Sequence, residues 1–286
     1  MVAGSWPEER GAGGRRNVNM MRTRVPLELT GLSKTFETPE GPVVAVADVN
    51  AVIHDAEFVC ILGHSGCGKS TILSMVAGLQ RATLGGVLID GKEVTTPGAD
   101  RAVVFQSPSL LPWLSARDNV ALAVGTTPAG ASRRKRRAVA ARYLELVGIP
   151  EVAGQLPHQL SLGTQQCVSL ARALAPQPRF LLLDEPFSTL DSMTRFDLQD
   201  VLLQVWELER KVVVMVTHDI DEALYLADRL ILMTDGPSAT VGESLSLPFP
   251  RPRARAAVLE HPEYLACRRH VLEFLDHHAH QSRSAA

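Results

Sequence analysis

Apolar and polar residues alternate from Leu27 to Phe36 and again from Val43 to Ile53, with valine enriched and Pro39-Glu40-Gly41-Pro42 between the two runs. A period of two on either side of a turn predicts an antiparallel β-layer with one face buried. The pattern then changes: Glu57 to Leu62 is a short apolar run that stops at a glycine-rich stretch, and Ser70 to Leu79 repeats its apolar positions at helical spacing. That order is strand, loop, helix. Short strands are expected at Val87 to Asp90 and Ala102 to Phe105, followed by a helical insertion rich in Ala, Leu and Arg over Ser109 to Val147. Beyond Arg179, short apolar runs at Phe180 to Leu183, Val212 to Thr217 and Leu230 to Met233 alternate with helical stretches at Ser192 to Arg210 and Ile220 to Asp228. Unbroken apolar strands separated by helices imply an α/β fold with a mostly parallel sheet. Pro248 to Arg253 reads as a rigid extended linker, and Glu260 to His277 as an amphipathic helix.

Composition narrows the partners. The 286 residues carry Lys+Arg 29 against Asp+Glu 31, a formal charge of −2, which argues against a polyanion binder held by bulk charge. No nucleic-acid partner is expected. The one concentrated basic run, Arg133 to Arg137, reads either as a nucleic-acid or localisation patch or as the solvated start of a helix, and the latter is preferred. Cys60, Cys67, Cys167 and Cys267 match neither a zinc spacing nor a disulfide framework, so reduced thiols are expected. His277, His278 and His280 are read as a polar, frayed terminus rather than a metal site. No stretch approaches the roughly 18 apolar residues of a membrane span. Met1 to Arg24 lacks the apolar core of a secretory signal and is read as a disordered tail, with Met20 and Met21 as alternative starts.

The chemistry is concentrated at three strand ends. Gly63-His64-Ser65-Gly66-Cys67-Gly68-Lys69-Ser70-Thr71 satisfies the G-x-x-x-x-G-K-[ST] pattern, after a strand and opening a helix. Its glycines let successive N–H groups turn inward, and the helix N-terminus adds positive potential, so the loop suits the β and γ phosphates of a nucleotide. Lys69 is then a point charge on those phosphates, and the hydroxyl of Ser70 a ligand for Mg²⁺. Phe180-Leu181-Leu182-Leu183-Asp184-Glu185 ends a buried strand in two carboxylates. Asp184 would bind the metal, and Glu185, expected to point the other way on the strand, would polarise the attacking water. Thr217-His218-Asp219 brings an imidazole to the same sheet edge, where His218 could hold the γ-phosphate and orient Glu185.

With these motifs in place, the chain from about Val25 to Met233 resembles the ATP-binding-cassette transporter ATPases. The resemblance adds Gln106 in Val-Val-Phe-Gln-Ser-Pro as the Q-loop glutamine, Ser188-Thr189-Leu190-Asp191 as the D-loop, and Phe36 as the aromatic that stacks on adenine. It implies a P-loop NTPase, RecA-like core with an antiparallel β-subdomain and an α-helical subdomain near residues 107–175. A cassette over residues 25–247 would be followed by a C-terminal linker and helix over 248–286. It further implies that Gln106 joins Mg²⁺ coordination and senses the membrane partner, and that Asp191 works across a dimer interface. The family's signature, usually Leu-Ser-Gly-Gly-Gln, reads Leu160-Ser161-Leu162-Gly163-Thr164 here, and Cys167 replaces a common arginine. Ser161 and Gly163, which in relatives reach the γ-phosphate held by the opposing subunit, are retained. Leu162 would be strained only where that position needs φ > 0, and Cys167 would remove a positive charge near the interface.

By this resemblance the chain is an ATPase using ATP and Mg²⁺, dimeric in action with itself or a paralogue. It would serve separate integral membrane permease subunits and an external or periplasmic substrate-binding protein from the cytoplasmic face of the inner membrane. Met233 to Pro237, Pro248 to Arg253 and His261 to Tyr264 resemble the nitrate, nitrite and cyanate branch of the nitrate–sulfonate–taurine importers. An aliphatic sulfonate or taurine importer and a weakly hydrolysing regulatory cassette remain the alternatives.

Overall fold

The computed structural model describes residues 27–125 and 132–284, with side chains as far as 278. The expected tail, Met1 to Arg24, and the side chain of His280 lie outside this range. Two sheets organise the chain. The first is antiparallel, in the order β2-β1-β4-β5, built from β1 (Leu27–Thr38), β2 (Gly41–Ile53), β4 (Leu84–Ile89) and β5 (Lys92–Glu93). The second runs β10-β9-β3-β8-β7-β6, from β3 (Phe58–Leu62), β6 (Arg101–Val104), β7 (Phe180–Asp184), β8 (Val212–Thr217), β9 (Arg229–Met233) and β10 (Val241–Ser246). Its strands are parallel except β10, which pairs antiparallel with β9 at the edge.

The unbroken apolar runs are explained by two cores that share these strands. Phe58, Cys60 and Leu62 of β3 pack into one core with Val213 and Met215 of β8, while Val59 and Ile61 pack into the other with Val212, Val214 and Val216. Because side chains alternate along a strand, a strand covered on both faces needs apolar residues at every position. One core holds the first sheet and α1 (Lys69–Val76) against the parallel sheet. The other holds α2 (Ala116–Val124), α3 (Arg133–Leu146) and α4 (Leu162–Leu174), together with residues of α5 (Ser192–Glu209) and α6 (Ile220–Leu226).

Two expectations change in detail, and the preferred reading of the basic run as a solvated helix start is borne out. The helical insertion is not continuous from Ser109: α2 begins only at Ala116, capped by Ser115, and the preceding stretch is held by Asn119, whose side chain bonds the backbone of Leu111 and Leu114. The basic run is the first turn of α3, capped by Ser132, with Arg137 bidentate on Asp118. The second change is at Pro248 to Arg253, which does not bridge separate bodies. Phe249 and Arg253 are buried; Arg251 donates to Asp228 and to the Leu226 carbonyl, and Arg253 donates to the carbonyls of Tyr225, Ala227 and Phe249. Arginine in a polar-looking, proline-rich stretch satisfies carbonyls at the end of α6, which is why this composition packs rather than spans. The chain continues as α7 (Arg255–Leu259) and α8 (Tyr264–Ser284), and α8 lies against α6 and β9.

All four cysteines are free thiols, and among the described residues no helix is long and apolar enough to cross a membrane. Burial lowers the Arg253 guanidinium to about 10. Arg253→Leu leaves three carbonyls without a donor, and we expect a loss of about 2–4 kcal/mol in stability, read as a lower urea midpoint.

Candidate functional site

The glycine-rich loop leaves β3 at Leu62 and turns into α1 at Lys69. Gly66 and Gly68 hold φ of 85° and 87°, in the left-handed region. A Cβ at Gly68 would also strike the Val46 side chain and the Ala45 backbone, so glycine is required there twice over. Helices α2 to α6 all begin with a side-chain cap, from Ser115, Ser132, Ser161, Asp191 and Asp219 respectively. Helix α1 begins at Gly68 with none. Its first-turn N–H groups are therefore available to an external acceptor, which fits a phosphate. Lys69 is buried, and its ammonium donates to the carbonyls of Gly63 at 2.8 Å and His64 at 2.9 Å. The Cys67 thiol beside it is buried and held above its usual range by that burial, with Lys69 acting in the opposite direction. Ser65, Gly66 and Ser70 are exposed and Thr71 half-buried.

Strand register aligns the chemistry. Leu62 pairs with Thr217, and Asp184 with Val216, so the loop, the two carboxylates and the Thr217-His218-Asp219 turn emerge at one edge. Ser70 donates its hydroxyl to Asp184 at 2.7 Å. Burial raises the Asp184 pKa, and the hydroxyl of Ser70 offsets part of that rise. Two hard oxygens in this pair suit a small divalent cation such as Mg²⁺. Glu185 does not continue the strand, as alternation would require. β7 ends at Asp184, and Glu185 takes φ of 45°, a left-handed conformation that costs a non-glycine residue about 1–3 kcal/mol. Its amide donates to the Val216 carbonyl at 2.9 Å, and its carboxylate reaches Nδ1 of His218 at 3.2 Å. The twist, not the pleat, aims Glu185 at the histidine.

Gln106 follows β6 and donates its amide to Ser188 Oγ at 3.0 Å, while Ser188 donates to the Glu185 carbonyl at 3.1 Å. Ser188 is a link that the motif reading assigns no role, although it lies inside the quoted Ser-Thr-Leu-Asp run. Helix α4 also fixes the stretch around Gln106: Gln166 donates to the Phe105 carbonyl, and Arg172 to those of Pro108 and Ser109. The available signal is polar residues set into an otherwise apolar helix.

Ser161 caps α4 by accepting from the Thr164 amide at 3.1 Å, and the two hydroxyls lie 2.8 Å apart. Leu162 is the first residue of α4 and is absent from the positive-φ positions, so the strain that would accompany it there does not arise. Gly163 is buried against Thr194 of α5, whose amide is capped by Asp191 at 3.1 Å; these hydrogen bonds lower the Asp191 pKa. The signature and the D-loop thus sit side by side. Cys167 is buried in the core of the helical layer, its thiol raised to about 11 by burial, rather than facing an interface. Phe36 is exposed on β1, with the Lys34 ammonium 5.1 Å from its ring centre. The structure joins Lys69, Ser70, Asp184, Glu185 and His218 at one edge, with Gln106 attached through Ser188. Among the described residues no hydrogen bond connects Ser161, Gly163, Asp191 or Phe36 to that group.

Glu222, one turn beyond His218, is buried and accepts from Gln199 at 2.8 Å. Burial pushes its carboxyl up to about 7, against the pull of hydrogen bonds from Thr217 and Gln199. A raised carboxyl binds its proton more tightly in the folded chain, so its contribution to stability is present in acid and lost as pH rises through about 7. Glu222→Gln is expected to raise Tm near pH 8 and leave it little changed near pH 4.5, in thermal melts across that range.

Comparison with known proteins follows the same lines. The ABC transporter family model matches residues 46–188. The nitrate import ATP-binding protein NrtD of Synechococcus elongatus is 53% identical over 244 residues, covering 85% of this chain and 89% of that protein. The bicarbonate transport ATP-binding protein CmpD of Synechocystis sp. is 47% identical over 254 residues, covering 89% and 90%. Among solved structures, the dimeric post-hydrolysis state of the ATP-binding cassette MJ0796 bound to ADP and Pi superposes with a TM-score of 0.70 at 34% identity, over 78% of this chain and all of that one. A glycine loop, an acidic strand end and a histidine at one sheet edge, with likeness of this extent, establish that the chain belongs to the ABC transporter family and is an ATPase of that family.

Proposed function

We propose that this chain is the ATP-hydrolysing subunit of an importer for a small anion, nitrate in the first place, and that it drives separate permease chains from the inner face of the membrane. The observation that carries the anion is the 53% identity to a nitrate import subunit across most of both chains. Identity of 47% to a bicarbonate transport subunit supports a second reading. Nitrate and bicarbonate are both planar, three-oxygen anions, so a change of cargo between them asks little of a subunit that never touches it.

In this reading the uncapped start of α1 and the glycines of the loop bind the nucleotide phosphates, and Lys69 transfers its ammonium from the Gly63 and His64 carbonyls to them. Ser70 and Asp184 would hold Mg²⁺, with Gln106 close by through Ser188, and the bound ion would supply positive charge to offset that of the phosphates. Glu185 accepts a proton from the attacking water while His218 keeps its carboxylate in place. Phe36 offers an exposed aromatic face to the base. Ser161 and Gly163 complete the site of a second cassette, with Asp191 beside them at the same interface, so the working unit is a dimer. A substrate-binding protein outside the membrane would supply selectivity.

Labelled nitrate and bicarbonate uptake, in cells lacking this gene and complemented with the intact chain or Lys69→Ala, tests the reading. Nitrate uptake is expected to return with the intact chain alone; return of bicarbonate uptake instead establishes the second reading, and return of neither refutes both. The relaxed backbone at Leu162 also predicts ordinary turnover. Leu162→Gly should change steady-state ATP hydrolysis by less than about 3-fold while lowering Tm slightly, since glycine at a helix start costs up to about 1 kcal/mol. A large gain in rate would show that the leucine throttles the site.

A further inference from the structure

The C-terminal helix touches both halves of the hydrolytic edge. At its start, Tyr264 and Arg268 donate to Asp221 at 2.8 Å and 2.7 Å, on the helix that follows His218. In its middle, His270 meets Glu243 of β10 at 2.8 Å. Further on, the Phe274 ring lies where a side chain at Gly242 would project, and the next residue, Leu275, accepts through its carbonyl from Nε2 of His64 at 3.1 Å. His64 belongs to the glycine-rich loop, and its own carbonyl is one of the two that hold Lys69. A continuous path therefore runs from α8 through His64 to the lysine ammonium. A carbonyl has two lone pairs, so Leu275 can accept from His64 without giving up its place in the helix.

Such a contact matters in this loop more than it would elsewhere. Ser65 and Gly66 are exposed, and the two left-handed glycines give the backbone freedom that must be lost when a ligand binds. A loop already fixed in shape loses less and binds more tightly. We propose that α8 is a positioning element for nucleotide binding, acting through His64, which it holds so that the loop keeps its shape around Lys69. His64 is the positioning residue, and the anchors at Asp221 and Glu243 keep α8 in register with it. The inference rests on the loop binding ATP and is independent of which anion is carried, so its test reads nucleotide alone.

The purified full chain is titrated with ATP in the presence of EDTA, and KM and kcat are measured separately with Mg²⁺. Removing one hydrogen bond of this kind is expected to weaken ATP binding about 2- to 10-fold in His64→Ala, raising KM with little change in kcat. His64→Gln, which keeps an N–H of similar reach, should recover most of the affinity. Phe274→Ala, on the far side of the contact, should weaken binding in the intact chain but add nothing on top of His64→Ala, because the two changes break the same path. Thermal melts confirm that each variant is folded, and Phe274→Leu replaces Phe274→Ala if the latter is not. Unchanged affinity in His64→Ala overturns the proposal. So does a glutamine variant as weak as alanine, or effects of His64 and Phe274 that simply multiply.

Discussion

Strands β3, β7 and β8 are buried on both faces, and this constraint decides where the molecule can do chemistry. A strand covered above and below has no position for an unpaired charge along its length, because each would lose its hydration without a partner. Polar side chains are admitted only where the strands stop. Parallel pairing then gathers those stops on one side of the sheet, and the pairing of Leu62 with Thr217 and of Asp184 with Val216 places them next to one another. The lysine, the serine, the two carboxylates and the histidine come together because the apolar strands preceding them align.

The same economy appears at the helix starts. Ser161, Asp191 and Asp219, each picked out as part of a motif, are also the residues that cap α4, α5 and α6. A cap satisfies an N–H that water would otherwise have to reach, and substitution of one typically costs about 1 kcal/mol. A loss of activity in variants at these positions therefore combines two effects, and stability has to be measured beside rate to separate them. At Gly68 the logic is reversed: α1 is left without a side-chain cap, and its first N–H groups are open to an acceptor from outside the helix.

Much of this is legible in the residues themselves. The antiparallel layer, the parallel strands, the loop and the acidic strand end all follow from periodicity and from motifs whose mechanism demands a strand before and a helix after. What escapes is set by backbone angles and by distant partners. The aim of Glu185 depends on a left-handed residue that no period reveals, and the burial of Cys167 depends on the rotation of α4 within its layer. The proline- and arginine-rich stretch looks like a linker because its composition is polar. It packs because the guanidinium groups of Arg251 and Arg253 find carbonyls at the end of α6, some 25 residues back in the chain. Ser188 escapes notice because its partners, Gln106 and Glu185, come from different strands.

Helix α4 carries Ser161 at its head, and on its later turns Gln166 and Arg172 grip the backbone after β6. With about 3.6 residues per turn, every residue inserted between these points would rotate one relative to the other by about 100°. The helix therefore works as a keyed shaft, on which the angle between its capping serine and its two gripping side chains is set by the number of residues between them. Side chains along the shaft can be exchanged so long as they pack, whereas inserting a single residue would turn Ser161 by about 100° relative to Gln166 and Arg172.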